Sequence, residues 1–439
     1  MHSAQMVKNM KIKELIEATG AKVLTEVDKD LDVKISTDTR TIQAGDFYLP
    51  LKGASFDGEK FINQAFEKGA IGAFCTGANG TLQVQNTLTA YLQLANYRRK
   101  KLNFTVVAIT GSSGKTTTKE LAASVLSEKF RTFKTPLNHN NEIGFCQTIF
   151  EAPDDTEILV LEMGMRGLGE IELLSKYAEP DITIISNVGT AHIGRLGSRE
   201  NIAKAKCEIV KYQRGNIFIA HDDELIKKTV QFSGKKIFYS IKDVKILEKD
   251  THYSKFEYYG NIYELNVGGD YNIENALSAI NTGLALGMKV DEIQSGLKKY
   301  APIEKRWEAV NAGGFEIIND SYNANPESMR AFIDTIFELY EKPVVILGDM
   351  GELGEDEIKY HSELGKYINS HKNLRQDAEI LSIGKLSKYI TDGVTNCPAK
   401  HFETIEQAAA YLKNKDTKVQ LFLKASRSMK FERIIEELK

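Results

Sequence analysis

Val106–Glu120 reads VVAITGSSGKTTTKE: an apolar run, a turn carrying Gly111, Gly114, Lys115 and Thr116, then a helical pattern continued by Leu121, Ala122, Val125 and Leu126. A strand that passes through a glycine-rich turn into a helix is built to hold phosphate. Backbone N–H groups curl around the anion, Lys115 reaches it as a point charge, and the Thr116 hydroxyl faces Mg²⁺ at the positive end of the helix. Ser112, Ser113 and Thr117 complete this candidate nucleotide contact. The longer pattern G-x-x-x-x-G-K-[ST] wants glycine where Ile109 stands, so the shorter form T-G-x-x-G-K-T carries the expectation.

Outward from this turn, the runs TVVAIT, EILVLE, DITIIS and NIFIA alternate with helical patterns, which predicts a wound, mostly parallel sheet. Before it, a helix near Ile12 to Thr19, strand-like DFYLPL, a helix near Phe61 to Lys68 and IGAFC form a smaller unit with polar turns in STDTR and GASFDGEK. A helical stretch from Leu88 to Lys100 leads into the nucleotide unit. After it, FEIIND, PVVILG, EILSI and VQLFLK alternate with helices again, opening near Gly313 and Gly314. Asn325 and Pro326 are set to cap and start the first of those helices. The expected fold class is α/β, with domains at 1–83, 84–311 and 312–439.

The 439 residues exceed one ordinary core. A formal charge of −3 argues against a broad nucleic-acid face. No apolar run is long enough for a membrane span, and the start MHSAQMVKNMKIKEL lacks a signal-peptide core. Cys75, Cys146, Cys207 and Cys397 lack zinc or C-x-x-C spacing, which fits reduced thiols and a cytoplasmic location.

Glu162 ends the apolar run after the phosphate turn, where its carboxylate emerges beside the nucleotide and could bind Mg²⁺. His192, in NVGTAHIG, lies near the same sheet edge, although a loop histidine is often a bystander. Winding RENIAKAKCEIVKY at about 100° per residue puts Ile202, Ala205, Ile209 and Val210 on one face and Lys204, Glu208 and Lys211 on the other. Lys206 falls inside the apolar arc, where it must snorkel, pair with an acid or change its chemistry. Asn138, Asn140 and Asn141 could orient a polar ligand or simply form a turn. Asn272 and Asn275, one helical turn apart, could present amides to a base, with capping the alternative for Asn272. Arg306 and Asp320 straddle the expected junction, which suits a site completed by closure or an interdomain salt bridge.

Taken together, these segments resemble the Mur ligase family. The resemblance rests on AITGSSGKTTTKE, LNHNNEIG, LEMG, NVGTAHIGRLGSRENIAKAKCEI, YNIENALSAI, NDSYNANPESM, LGDMGELGEDEIKYH and KASRSMKFE, and it spans nearly the whole chain. DSYNANP followed by LGDMGELG points to the member that adds a dipeptide, and the D-N-P-R motif expected of the member adding the third amino acid is not found. The resemblance implies a small domain for the UDP end of the substrate, a central ATPase and a Rossmann-like domain that closes over ATP. It implies an ADP-forming ligase joining D-alanyl-D-alanine to UDP-N-acetylmuramoyl-tripeptide through an acyl phosphate. A cytoplasmic monomer in peptidoglycan precursor synthesis is expected, without nucleic-acid or membrane partners.

Residue by residue, the resemblance implies substrate contacts at Thr37, Asp38, Thr39, Arg40, Lys52, Phe56, Asp57 and Gly58, with Tyr322, Asn323 and Asn325 of the later loop facing the site. It implies one Mg²⁺ at Thr116 and Glu162 and a second at His192 and a carbamylated (N6-carboxylated) Lys206. It also implies adenine contacts at Asn272 and Asn275, γ-phosphate contact at Arg306, and nucleotide contact at Asp320. Lys115, Glu162, His192, Lys206 and Arg306 are then the expected catalytic set. Two departures stand out: Tyr271 where the family commonly has histidine, and MRGLGEI in place of an asparagine- and proline-containing turn. Folylpolyglutamate synthetase, a P-loop kinase and a non-catalytic nucleotide-binding protein are the competing readings.

Overall fold

A computed structural model describes residues 10–53, 56–303, 305–416 and 419–439. Most of the N-terminal stretch read for a signal peptide, residues 1–9, and Ala54 and Ser55 of the turn GASFDGEK lie outside the described residues.

The phosphate turn follows a central strand of a six-stranded, all-parallel sheet. The order across it is Lys235–Tyr239, Ile217–His221, Ile182–Ile185, Thr105–Thr110, Ile158–Glu162 and Thr132–Lys134. Its inner strands are covered on both faces, so apart from threonines and the strand ends their residues are apolar, and alternation appears in which core they enter. Val107, Ile109, Ile158 and Val160 join the cluster with the helices Lys115–Leu126 and Asp270–Ala285. Val106, Ala108, Leu159 and Leu161 join the cluster with Thr87–Leu102, Glu142–Glu151 and Glu170–Ala178. Parallel strands put every following loop at one edge, which is where the candidate site residues gather.

A three-stranded antiparallel sheet, Lys245–Lys249, Ser254–Tyr258 and Asn261–Leu265, packs Phe256, Tyr258, Tyr263 and Leu265 into the first of these cores. The sequence patterns above do not anticipate it.

The last sheet runs in the order Glu308–Ala312, Phe315–Asn319, Leu421–Lys424, Val344–Gly348, Glu379–Ile383 and Ala399–Phe402, parallel except for the first pair. That pair is a hairpin turning at Gly313 and Gly314, both at positive φ. The expected junction at 311–312 falls inside it, because the two glycines serve a tight turn rather than a linker. The first unit carries a five-stranded sheet and a two-stranded one, all of short strands, with the expected helix at Ile12–Thr19 and a second helix at Ile62–Glu67 after a 3₁₀ turn at Gly58–Phe61.

Candidate active site

Gly114 starts the helix Lys115–Leu126 at φ +75°, and a Cβ there would stand 2.4 Å from Asn275 Oδ1. Glycine therefore permits both the left-handed turn and the approach of Asn275. The next loop braces the turn: Ser113 N–H donates to Asn187 Oδ1 at 3.0 Å, Gly189 N–H to Ser112 Oγ at 2.9 Å, and Ser186 Oγ to Ser113 O at 2.6 Å. Lys115 Nζ folds back to donate to Gly111 O at 2.8 Å. Burial lowers its pKa, with Arg306 adding to the effect and Glu162 opposing it.

Glu162 emerges at the strand end as expected. Its Oε1 accepts from Asn140 Nδ2 at 2.9 Å, while Oε2 is buried without a hydrogen-bond partner, 3.8 Å from Lys119 Nζ. Lys119, itself buried, spends its ammonium on the carbonyls of Thr135 and Leu137. Asn140 thus orients the acid, and Asn141 caps the helix Glu142–Glu151 by accepting from Gly144 N–H. Asn138 is exposed at the cavity rim.

Lys206 does not snorkel. It is 1% exposed and makes no hydrogen bond or ion pair with any described residue. Burial, then the neighbouring Lys115, pushes its pKa well down, which favours the neutral amine. The other part of that helical-wheel reading needs correction: Glu208 is buried rather than on the solvent face. The α-helix ends at Cys207 and tightens to 3₁₀ over Glu208–Val210, so the 100° step no longer holds, and Glu208 accepts from the N–H groups of Gly169 and Glu172.

The third unit supplies the opposite wall. Arg306 Nη2 donates to Thr116 Oγ1 at 2.9 Å, and its guanidinium lies 3.8 Å from the Tyr322 ring centroid. Asp320 pairs with Lys424 Nζ and accepts from Trp307 N–H at 3.2 Å, so Arg306 and Asp320 form no salt bridge with each other. Asn325 caps Pro326–Leu339 with proline at the first turn, as expected. His192 Nδ1 lies 2.6 Å from Glu352 Oε2, and Glu327 Oε2 accepts from both Thr190 N–H and Thr190 Oγ1. Asn272 is no cap: the helix begins after Gly269, and its amide donates to Gly268 O at 2.7 Å.

One cavity of about 780 Å³ is lined by Ser112–Thr117, Glu162, His192, Asn272, Asn275, Arg306 and Asp320, with Asn138, Asn140, Asn141, Tyr322, Asn323 and Asn325. Gly111 and Lys206 are not among its lining residues. Nor are the first-unit residues, which sit elsewhere: Arg40 holds Asp38 in a bidentate pair, Thr39 Oγ1 donates to Gln64, Lys52 pairs with Asp57, and Phe56 stacks on Phe61 at the surface. Sequence reading missed Lys119, Glu327, Glu352 and Lys424. Lys119 had a signal, since it stands three residues after Thr116 on one helix. The other three find their partners only through the fold.

Three family models match in order: "Mur ligase family, catalytic domain" over residues 34–101, "Mur ligase middle domain" over 109–283 and "Mur ligase, glutamate ligase domain" over 305–427. The chain is 36% identical to the UDP-N-acetylmuramoyl-tripeptide--D-alanyl-D-alanine ligase of Bacillus subtilis, over 98% of each chain. It is 28% identical to the ligase of the same name from Escherichia coli, over 94% of this chain and 95% of the other. A crystal structure of MurF from Acinetobacter baumannii superposes with a TM-score of 0.87 at 28% identity over 98% of both chains. The MurF ligase of Thermotoga maritima, solved with ADP, gives 0.82 at 28% identity over 92% of this chain and 96% of that one. The chain belongs to the Mur ligase family, in its MurF-type group.

Proposed function

We propose that this protein joins D-alanyl-D-alanine to UDP-N-acetylmuramoyl-tripeptide with ATP, releasing ADP and phosphate, in the supply of peptidoglycan precursor. The observation that carries the reading is the shared cavity, in which a phosphate turn from one sheet faces a guanidinium and a carboxylate from another. A tripeptide carboxylate is repelled by triphosphate and lacks a leaving group for amide formation. Its oxygen attacks the γ-phosphorus, the bond to the bridging oxygen breaks, and ADP departs. The dipeptide amine then attacks the acyl carbon, loses a proton and expels phosphate. Lys115 and Arg306 neutralise the charge that builds between the two anions. The docked third unit keeps water from the acyl phosphate.

In this reading the first domain, 1–83, binds the UDP end through Thr37–Arg40, Lys52, Phe56, Asp57 and Gly58, and the central unit and the third unit, which begins ahead of Arg306 rather than at residue 312, hold ATP and dipeptide. Asn272 and Asn275 contact adenine, Asp320 the nucleotide, and Asn138, Tyr322 and Asn323 the substrates. The protein works as a cytoplasmic monomer without nucleic acid; among the described residues no helix is long and apolar enough to cross a membrane.

Mg²⁺ suits the donor set in one respect: Glu162 Oε2 is a buried acceptor with no donor bonded to it. No cluster of three or more His, Cys, Asp or Glu stands ready for a metal among the described residues. Holding two ions therefore draws on the Thr116 hydroxyl, His192, the nucleotide and a carbamylated Lys206. The unpaired, deprotonation-prone amine of Lys206 is the form that adds CO₂, and the modification replaces a cation with oxygen ligands. Bound Mg²⁺ would supply charge neutralisation at the phosphates. The test is phosphate release from ATP with UDP-muramoyl tripeptide, with and without D-alanyl-D-alanine. Release indifferent to the dipeptide rejects this acceptor.

A further inference from the structure

His192 and Glu352 come from loops after strands of different sheets, Ile182–Ile185 and Val344–Gly348, and meet at 2.6 Å. Both are non-glycine residues at positive φ, +66° and +62°, a conformation side chains disfavour. The backbones lock beside them: Gly194 N–H donates to Glu352 O at 3.3 Å, and a Cβ on Gly194 would stand 2.5 Å from Gly354 N. Nδ1 makes no aligned hydrogen bond to the carboxylate, but a bare ring nitrogen 2.6 Å from a carboxylate oxygen would set two lone pairs against each other, which favours a proton on Nδ1.

Docking itself has other holds. Glu327 takes both donors of Thr190 two residues upstream of His192, and the Gly194 bond lies two residues downstream. The Glu352 carboxylate is thus left to act on the imidazole. We infer that Glu352 is a positioning residue: from across the interface it keeps the proton on His192 Nδ1, so that Nε2 of the neutral ring presents a lone pair to whatever the shared cavity holds. Carboxylates play this part behind metal-binding histidines, fixing tautomer and ring orientation. Here the carboxylate belongs to the other unit, so His192 is made ready only when the two units are docked. The inference rests on the ligase reading, in which His192 faces Mg²⁺.

The experiment is nitrogen NMR of protein labelled in its histidine rings, at about pH 8.5, where an ordinary imidazole is neutral. The signal missing from H192N identifies His192. Wild type is expected as the Nδ1–H tautomer, E352A mainly as Nε2–H, and E352Q as a mixture. Mn²⁺ affinity of the complex with a non-hydrolysable ATP analogue is expected to fall about tenfold in E352A. A wild-type tautomer in E352A overturns the inference, whatever happens to the spacing of the units. If E352A does not fold, E352M, of similar length and without a carboxylate, decides it: a shift to Nε2–H supports the role and an unchanged Nδ1–H signal overturns it. The ring signal needs no turnover, so failure of dipeptide-dependent phosphate release would count against the ligase reading alone.

Discussion

The Arg306 guanidinium donates to Thr116 Oγ1 at 2.9 Å, although 190 residues separate them. One face of Arg306 lies on Tyr322 at 3.8 Å, and its Nε is buried without a partner. The side chain thus connects the first residue after the phosphate-turn lysine to the third-unit loop. Its unsatisfied Nε–H is a donor held ready for an anion, since a buried donor left unpaired costs about 1–3 kcal/mol.

Replacing Arg306 by lysine keeps the charge and loses both the ring stacking and the flat array of donors. The expected result for Arg306→Lys is a fall in kcat of about 100-fold, with ADP affinity changed far less. Steady-state phosphate release and calorimetric ADP binding separate the two. Equal losses in both would make Arg306 a ground-state contact only.

Lys206→Ala removes the buried amine and with it any carbamate. Activity is expected to fall at least about 100-fold, as befits loss of a charge-stabilising group, and to return in part when short carboxylic acids are added to fill the space. Phosphate-release assays with and without the acid measure this. Full activity in the variant would remove the carbamate from the mechanism.

The parallel sheet around the phosphate turn was legible because strands covered on both faces are mostly apolar, and Ile158–Glu162 is buried at every position. The antiparallel strand Lys245–Lys249 was not: four of its five residues are exposed, so no apolar pattern marks it. Within the site, Lys206 was legible as a cation in an apolar arc, whereas Glu208 was misplaced because the helix changes its winding beneath it. Glu327 and Lys424 carried no local signal. Their partners lie 137 and 104 residues away: Thr190 meets Glu327 only when the two sheets dock, and Asp320 meets Lys424 only when the strands Phe315–Asn319 and Leu421–Lys424 pair within one sheet.

His361 gives the third unit a defined response to acid. It is fully buried; Nε2 accepts from Met350 N–H at 2.9 Å, and Nδ1–H donates to Glu357 O at 2.6 Å, so only the neutral ring satisfies both bonds. Burial holds its pKa below the ordinary value of about 6.5, against smaller opposing effects from Glu357 and Asp349. Below that pH the unfolded chain takes up a proton that the folded one refuses, so stability is full above it and falls as pH drops toward the lowered folded pKa. Trp307, buried between Tyr271 and Phe332, reports unfolding by fluorescence. Urea midpoints should fall less between about pH 7.5 and pH 5.5 in His361→Gln than in wild type. Parallel declines would show that other groups dominate.

Gly194 offers a way to disturb docking without touching the phosphate turn. It lies inside the short helix Ile193–Leu196, where alanine is acceptable to the backbone, yet its Cβ would stand 2.5 Å from Gly354 N and 2.8 Å from Gly354 Cα. The clash is with backbone, so the loop bearing Glu352 must retreat. A displacement on the order of 1 Å at a reacting centre costs about 100-fold in rate, and Gly194→Ala is expected to lose that much ligase activity. ADP binding should stay close to wild type, because Ser112–Thr117, Asn272 and Asn275 are untouched. Comparing calorimetric ADP affinity with dipeptide-dependent phosphate release measures the split, and an unimpaired rate would mean that the interface between these two loops has no part in the reaction.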